Sequence, residues 1–486
     1  MHKLVRLPPW TRGAVAAVAA GLLAVASTVF TYLLSSPVLA LDVTLGAFAV
    51  VLGLLAQLRF GIIGLLMVLL ISLPLGRVTL AELGTVTVSP LMIIIMMLVT
   101  FWSWEFLAGS RKIRASWMQL PLAILLLWST ISLYWTPDIS LALKFVLVFT
   151  MGAAVYVIVS EAAHSEKEVR TIMWAVVGIM GVVGLYAVVA YIWGLSGVSD
   201  DLVESGSERY NRVEGIFTHP NFLGTFFALT IPPGIALAAA EEIRWKKMLT
   251  YSLVAAAIAG LTLTYSRGSW VGTGVGLLSL LLLPQRRFSL LLPLSLIGLL
   301  SLPFIGSFAV SGALLERLAS FGSASADSGV IPRLQIWSAA PKLVVEHALL
   351  GIGPGNFGVA YGRLLGITPV PDSYQSLPDW YVYAANPPVQ FFPHAHNLFL
   401  NLTIELGLVG LVAFMWLLTL AFLKAWRIRR STTTKQEGFL SIGILGGFIA
   451  MLVANLVDTT FYQGFIIIVF FTFLGLLEAM ERIDKS

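Results

Sequence analysis

Long apolar segments separated by short polar connections dominate the pattern of this chain. A segment of about 17–25 apolar residues can cross ~30 Å of hydrocarbon as a helix, and in lipid only a helix or a closed barrel satisfies its backbone groups. The shorter segments 60–75 and 248–264 are the weakest of fourteen such segments, which lie at 13–34, 38–57, 60–75, 90–108, 119–136, 139–160, 170–194, 220–240, 248–264, 268–284, 288–305, 396–423, 438–457 and 461–480. The pattern predicts an all-α polytopic membrane protein with about 14 (12–14) transmembrane helices.

The composition agrees with a lipid environment. The chain is 58% hydrophobic and 11% charged, with a mean hydropathy of +0.90, whereas a soluble domain has roughly 25% charged residues. The absence of cysteine excludes disulfides, thiol catalysis and thiolate metal sites. The net charge of +5 reports membrane orientation and does not indicate a nucleic-acid partner. We interpret the basic N-terminus as the start of a retained first span, not as a cleaved signal peptide.

The basic residues predict the orientation of the chain. Of the 30 Lys and Arg residues, 21 fall in connections on the side of the N-terminus, 8 fall on the other side, and Lys144 lies inside a span. Because cytoplasmic connections are enriched in Lys and Arg, both termini are predicted to be cytoplasmic. Residues 1–305 then form eleven spans with short outer loops, residues 306–395 form one large outer loop, and residues 396–486 form the C-terminal spans.

The large outer loop is predicted to contain short helices. Residues 311–321 and 333–347 show amphipathic spacing, and a loop of this length is usually functional. The sequence GIGPGNFG at 351–358 resembles a dinucleotide-binding pattern, but no strand precedes it, so a tight turn is the better interpretation. No internal repeat with paired broken helices is evident, which weakens a transporter interpretation.

Three arginines stand out on the predicted outer side. Arg212, Arg267 and Arg333 lie in separate outer segments, where basic residues should be scarce. A single interfacial arginine often only snorkels to the membrane surface. Because the guanidinium group matches phosphate geometry, three arginines on one side indicate an anionic ligand there.

His394 and His396 leave three roles open: metal ligands, a catalytic base with a neighbour, or the polar collar of a span. Pro393 favours extended backbone, which would point both rings to one face. A metal would need at least one further ligand, and none of the outer carboxylates considered has ligand spacing: Asp200, Asp201, Glu204, Glu208, Asp372 and Asp379. A role in proton transfer is therefore favoured.

Polar residues continue down the predicted helix that follows the histidines. Asn397, Asn401 and Glu405 are spaced i, i+4 and i+8, so they form one stripe. An ionisable group within a span is a candidate functional residue. Glu405 would lie about 13 Å below His396, so it is predicted to orient the stripe or a neighbouring helix.

Four segments resemble the bacterial O-antigen ligase and O-antigen polymerase superfamily. They are RVEGIFTHPNFLGTFFAL (212–229), TYSRGSWVG (264–272), RLQIWSAAPKLVVEHALLGIGPGNFGVAYG (333–362) and HAHNLFLNLTIELGLVGLVAF (394–414). The resemblance covers roughly residues 209–275 and 313–415. It implies a GT-C-like glycosyltransferase in the bacterial inner membrane, with its active face in the periplasm.

The resemblance also implies substrates and residue roles. The donor would be a glycan on undecaprenyl pyrophosphate, and a ligase would transfer it to a sugar hydroxyl of lipid A-core with inversion. A polymerase would transfer it to another lipid-linked glycan; a transporter of lipid-linked glycans is the second alternative. No cofactor or metal is implied. Arg212, Arg267 and Arg333 would bind the pyrophosphate, His396 would be the catalytic base, and supporting roles fall to His394, Asn397, Asn401 and Glu405.

Overall fold

The computed structural model describes residues 37–77, 81–83, 86–195, 198–205, 208–282, 330–366, 382–383, 389–390, 393–431 and 435–485. These residues form mainly α-helices, with short 3₁₀ turns between some of them. The helices are α1 Pro37–Ile71, α2 Pro90–Leu107, α3 Gln119–Ile131, α4 Ile139–Ala162, α5 Glu166–Trp193, α6 Pro220–Ala240, α7 Arg244–Leu263, α8 Arg267–Leu278, α9 Val330–His347, α10 Phe357–Leu364, α11 Leu398–Ser431, α12 Lys435–Ala454 and α13 Gly464–Lys485.

Eight of the described helices are long and apolar enough to cross a membrane. They are α2, α4, α5, α6, α11 and α13, the part of α12 from Glu437 to Ala454 and, by length and composition alone, the part of α1 from Val50 to Ile71, which is broken at Gly61. This confirms the predicted multi-pass helical membrane protein. The predicted segments 13–34 and 288–305 lie outside the described residues, so the number of about 14 spans stays a prediction.

The described residues divide into two compact units, Met1–Lys112 with Glu161–Ala163, and Ile113–Ser160 with His164–Ser486. In the first unit, α1 breaks at Gly61, which has φ 64° and ψ −152°. A Cβ on Gly53 would lie 3.1 Å from Leu65 Cδ1, although twelve residues of straight helix span about 18 Å. The chain therefore turns back at this break, close to the predicted boundary between the segments 38–57 and 60–75.

The second unit has a core of closely packed helices around α6. Helix α6 packs against α7, α8 and α12, and α5 packs against α7; nearly every side chain of α6 is buried. Small residues recur every four positions where α8 meets α12. Those of α8 are Gly268, Gly272 and Gly276, and those of α12 are Gly446, Ala450 and Ala454. This is the small-residue spacing that lets membrane helices approach closely.

Among the described residues, three short antiparallel strand pairs interrupt the predicted all-α pattern. They are β1 Ala81–Leu83 with β2 Val86–Val88, β3 Val198–Ser205 with β4 Glu208–Val213, and β5 Val382–Tyr383 with β6 Val389–Gln390. Strand β3 pairs with β4 from Leu202 opposite Asn211 to Ser205 opposite Glu208. Hairpins satisfy the backbone groups of these connections without a helix, and β4 carries Arg212 toward the helical core.

Helices α9 and α10 form a small buried cluster next to the histidine segment. Ile336 and Leu343 of α9, Phe357 and Tyr361 of α10, and Ala395 are all buried in this cluster. The Trp337 indole donates a hydrogen bond to the Ala395 carbonyl at 3.0 Å. The predicted amphipathic helix 333–347 is thereby confirmed, whereas the predicted helix 311–321 lies outside the described residues.

The glycine-rich turn 348–356 fits into a break in α11. Gly407 has φ 66° and ψ −170°, so the helix leaves backbone groups unpaired at this point. The turn pairs with them: Ile352 N–H donates to Ile404 O at 2.9 Å, and Gly353 N–H donates to Glu405 O at 2.8 Å. A Cβ on Gly351 would lie 2.2 Å from Glu405 O, so this position requires glycine. The interpretation of GIGPGNFG as a tight turn is confirmed.

Candidate functional site

The two histidines lie together at the start of α11. Their ring centroids are 4.2 Å apart, and the His396 N–H donates to His394 Nδ1 at 3.4 Å. His396 is 6% exposed and has a φ of +46°, a conformation that is uncommon for a residue other than glycine. Such strain persists only where the surrounding structure enforces it, and it clusters at functional sites.

The backbone between the histidines is held from two sides. The Ala395 N–H donates to Asn401 Oδ1 at 2.9 Å, and the Ala395 carbonyl accepts the bond from Trp337 described above. The Asn401 amide also donates to the Tyr462 hydroxyl at 3.2 Å. Asn401 of the predicted polar stripe thus supports the backbone conformation that orients His396.

Asp458 is the acidic partner of His396. Its Oδ1 lies 3.5 Å from His396 Nδ1 and accepts the Thr459 N–H at 2.8 Å. Burial would raise the pKa of Asp458, but the hydrogen bond and charge of His396 and the charges of Arg333 and His394 lower it below its usual range. Asp458 is therefore a carboxylate at neutral pH, placed to orient an imidazole and to stabilise its protonated form.

Asparagine side chains build the loop that carries Asp458. Asn455 Oδ1 accepts the N–H groups of Thr460 at 2.8 Å and Phe461 at 3.1 Å, while the Asn455 carbonyl accepts the Leu398 N–H at 2.9 Å. Asn397 caps α11 by accepting the N–H groups of its first turn, and its amide donates to Leu456 O at 2.9 Å. The start of α11 and the Asp458 loop are therefore tied together.

The three predicted arginines lie around the same loop. Arg333 Nε donates to Val457 O at 3.0 Å. Arg267 is the first residue of α8, and a Cβ on the next residue, Gly268, would lie 2.7 Å from Val457 Cγ2. Arg212 Nε donates to Thr264 O at 3.0 Å, three residues before Arg267. Tyr265 between them has a φ of +50°, which adds a second strained residue at this site.

Glu405 has a structural role in the part of the chain that the structure describes. Its side chain is buried, and Oε1 accepts the Phe357 N–H at 3.1 Å. Phe357 begins α10, so the carboxylate caps the N-terminus of that helix, where an acidic group is favourable. The interpretation that Glu405 orients a neighbouring helix agrees with this contact. His219 likewise accepts the Asn221 N–H at 3.1 Å and caps α6.

The structure also brings together a possible set of metal ligands. His394, His396 and Asp458 can each offer one ligand atom, and these atoms lie within 4.8 Å of one another. Both Asp458 oxygens already accept hydrogen bonds, from Thr459 N–H and from the Asn221 amide, and the positive charge of Arg333 acts on the same carboxylate. These features favour an orienting carboxylate over a metal ligand.

The sequence reasoning did not identify Asp458 and Asn221. Asp458 lies in the short connection between two predicted spans, on the predicted outer side. An acidic residue at this position, on the same side as the arginines and histidines, was the one feature of the sequence that could have identified it. Asn221 follows His219 and Pro220, and nothing in its spacing distinguishes it from a helix-start residue. Its partners, Arg212 and Asp458, are 9 and 237 positions away, so only the fold shows the contacts.

Comparison with known proteins gave one family match, and it lies in the region of the site. No curated protein matches the chain. A chain in a solved structure of a peptidoglycan synthase complex aligns at 15% identity and a TM-score of 0.41, covering 77% of this chain and 100% of that one; a similarity this distant carries no argument about function. The O-antigen ligase family matches residues 252–415, a range that includes Arg267, Arg333 and both histidines. Over this range the chain is therefore similar to the O-antigen ligase family.

Proposed function

We propose that this protein transfers a glycan from undecaprenyl pyrophosphate to a sugar hydroxyl of lipid A-core, at the periplasmic face of the bacterial inner membrane. The observation that carries the proposal is the pair formed by His396 Nδ1 and Asp458 Oδ1, which lie 3.5 Å apart. The three arginine-bearing segments lie around the loop that carries Asp458. The family domain supports transfer of a lipid-linked glycan, and the choice of ligase rests on the resemblance of the sequence.

His396 acts as the general base in the proposed reaction. Nδ1 faces Asp458, so Nε2 is the nitrogen that accepts the proton of the acceptor hydroxyl. The hydroxyl oxygen forms a bond to the anomeric carbon while the bond from that carbon to the pyrophosphate oxygen breaks. Attack on the face opposite the leaving group inverts the anomeric configuration. Asp458 stabilises the imidazolium that results.

Arg212, Arg267 and Arg333 stabilise the leaving group. Pyrophosphate leaves with negative charge, and guanidinium groups placed in advance stabilise that charge as it develops. The proposed reaction therefore uses neither a metal nor another cofactor. His394 supports His396 by accepting its backbone N–H.

We expect His396→Ala and Arg267→Ala each to reduce transfer by at least about 100-fold, because a positioned base contributes about 10²- to 10⁴-fold and charge stabilisation a similar factor. The assay is transfer in isolated membranes from a lipid-linked glycan to lipid A-core, read on a gel. His347→Ala and Arg363→Ala serve as matched controls outside the site. Equal membrane levels of all variants establish that each one inserts.

Full activity of His396→Ala or Arg267→Ala would contradict the proposal. Loss of activity in EDTA that a single divalent cation restores would assign His394, His396 and Asp458 to a metal instead. Supplying lipid A-core and lipid-linked glycan as separate acceptors distinguishes ligase from polymerase. Movement of the glycan across a sealed bilayer without a new glycosidic bond would indicate a transporter.

A further inference from the structure

We propose that Asn221 is a positioning residue that links the pyrophosphate-binding Arg212 to the base His396 through Asp458. This inference rests on the proposed function and deepens it. It assigns to the start of α6 a role in the reaction that neither the family domain, which matches residues 252–415, nor the sequence pattern includes.

The helix cap fixes the position of Asn221. His219 Nδ1 accepts the Asn221 N–H at 3.1 Å, and Pro220 occupies the first position of α6, where its fixed φ suits a helix start. The following residues of α6 are buried among the neighbouring helices. The backbone of Asn221 is therefore anchored, so its side chain has a defined direction.

The side-chain amide bridges a cation and an anion. Arg212 donates from one terminal nitrogen to Asn221 Oδ1 at 2.7 Å, and Asn221 Nδ2 donates to Asp458 Oδ2 at 2.5 Å. A primary amide offers both an acceptor and donors, so it can satisfy both partners at once. An aspartate would accept from Arg212 but repel Asp458, and an aliphatic residue would satisfy neither.

Asn221 thereby sets the rotation of the Asp458 carboxylate. Oδ2 takes the amide of Asn221, Oδ1 takes the Thr459 N–H, and Oδ1 is also the oxygen that faces His396 Nδ1. Without the bond to Oδ2 the carboxylate can turn, and His396 loses its oriented partner. Donor binding at Arg212 and orientation of His396 are thus joined by one chain of contacts.

The charged groups around the contacts from Arg212 to His396 predict that activity depends on pH differently in different Asn221 variants. Those facing these contacts from the packed elements are Arg212, His219, Arg333, His394, His396 and Asp458. In Asn221→Asp, two adjacent carboxylates favour sharing a proton, and the shared proton restores a donor to Asp458 as the pH falls. In Asn221→Leu no donor returns at any pH.

The test compares Asn221→Leu and Asn221→Asp with wild type across pH 5.5–8.5, measuring kcat and KM of transfer in detergent-purified full-length protein. Asn221→Leu is expected to lower kcat about 10- to 100-fold, the range for losing hydrogen bonds to charged groups. The activity of Asn221→Asp relative to wild type should rise as the pH falls, while that of Asn221→Leu stays flat. Asn211→Leu, at an exposed position of β4, is the matched control and should match wild type.

Several outcomes would overturn the inference. Wild-type kcat in Asn221→Leu would do so, as would an equal, pH-independent loss in both variants, which is the result of a merely structural role. Thermal melting of each variant separates misfolding from loss of positioning, and Asn221→Asp keeps the shape of the side chain. His396→Ala is measured in parallel: if it stays active, the proposed function fails, whereas an inactive His396→Ala with a normal Asn221→Leu rejects the inference alone.

Discussion

At the scale of single residues, the site depends on a few side chains that hold one imidazole in a strained position. His396 keeps a positive φ because the Ala395 backbone before it is bonded by Asn401 and Trp337. Asp458 then faces His396 Nδ1, which fixes the tautomer by its charge. The chemistry therefore relies on neighbours that never touch the substrate in the proposed reaction.

We expect Asp458→Asn to lower kcat by about 100-fold or more, because a neutral amide can hold the imidazole in the wrong tautomer and does not stabilise its cation. The pKa of Asp458 is lowered by its hydrogen bond to His396 and by nearby positive charges, against the effect of burial. Asp458 therefore stays charged as the pH falls toward 5, so its own titration adds no step to the pH–rate profile of wild type above pH 5. Steady-state kinetics with KM measured separately test the effect, and an unchanged kcat would contradict it.

The sequence predicted part of this site. The three arginines and His396 were recognisable because such residues are unusual on the predicted outer side of a membrane protein, and the polar stripe because it continues into an apolar helix. Asp458 and Asn221 were missed, since an acid in a short connection and an amide at a helix start are ordinary in sequence. Their significance comes from contacts across 9 to 237 positions, which no local pattern encodes.

At the scale of elements, the junction of α8 and α12 places the arginine side of the site next to the Asp458 loop. Glycine and alanine at every fourth position allow the two helices to touch through their backbones. The junction starts at Gly268, directly after Arg267, and runs against Val457, directly before Asp458. Helix positions were well predicted, because apolar length identifies spans. The break at Gly407 was not predicted, because glycine within an apolar run has no distinctive signal.

We expect Gly272→Ala to destabilise the protein by about 1–3 kcal/mol, the range for overpacking a close contact. A Cβ at Gly272 would lie 2.3 Å from Ala450 O, whereas a Cβ at Gly274 would meet nothing within 4 Å. Gly274→Ala is therefore the matched control, and it should leave the melting temperature equal or higher because alanine favours helix. Melting in detergent, together with transfer activity, measures both effects. Equal melting of the two variants would argue against close packing at this junction.

At the scale of the whole molecule, the site lies at one end of α11 and a cluster of charges lies at the other. Glu478 contacts Lys424 at 2.9 Å and Arg482 at 3.3 Å, and the Ser116 hydroxyl donates to the same carboxylate at 2.6 Å. From Gly407 to Ser431 the helix extends about 36 Å, more than the ~30 Å of hydrocarbon. We therefore expect the two ends to lie on opposite sides of a membrane.

The orientation can be tested directly because the chain has no cysteine. We expect a cysteine at Ser338, exposed on α9, to react with a membrane-impermeant maleimide added from the periplasmic side. A cysteine at Ser431, exposed at the other end of α11, should react only after the inner membrane is opened. We expect this order of reaction because the connections on the side of Ser431 carry the excess of basic residues, which marks the cytoplasmic side. Reaction in the reverse order would place the site in the cytoplasm and exclude a periplasmic transferase.

The burial of His396, which leaves 6% of the residue exposed, bears on the choice between two competing nucleophiles. A base that activates a sugar hydroxyl would equally activate water, which would hydrolyse the donor and waste the assembled glycan. A shielded base reacts only with a hydroxyl that enters along with its own sugar, because that sugar displaces solvent around the ring. The preference for transfer over hydrolysis would thus come from restricted access to His396 Nε2, and no additional lid or loop would be needed to exclude water.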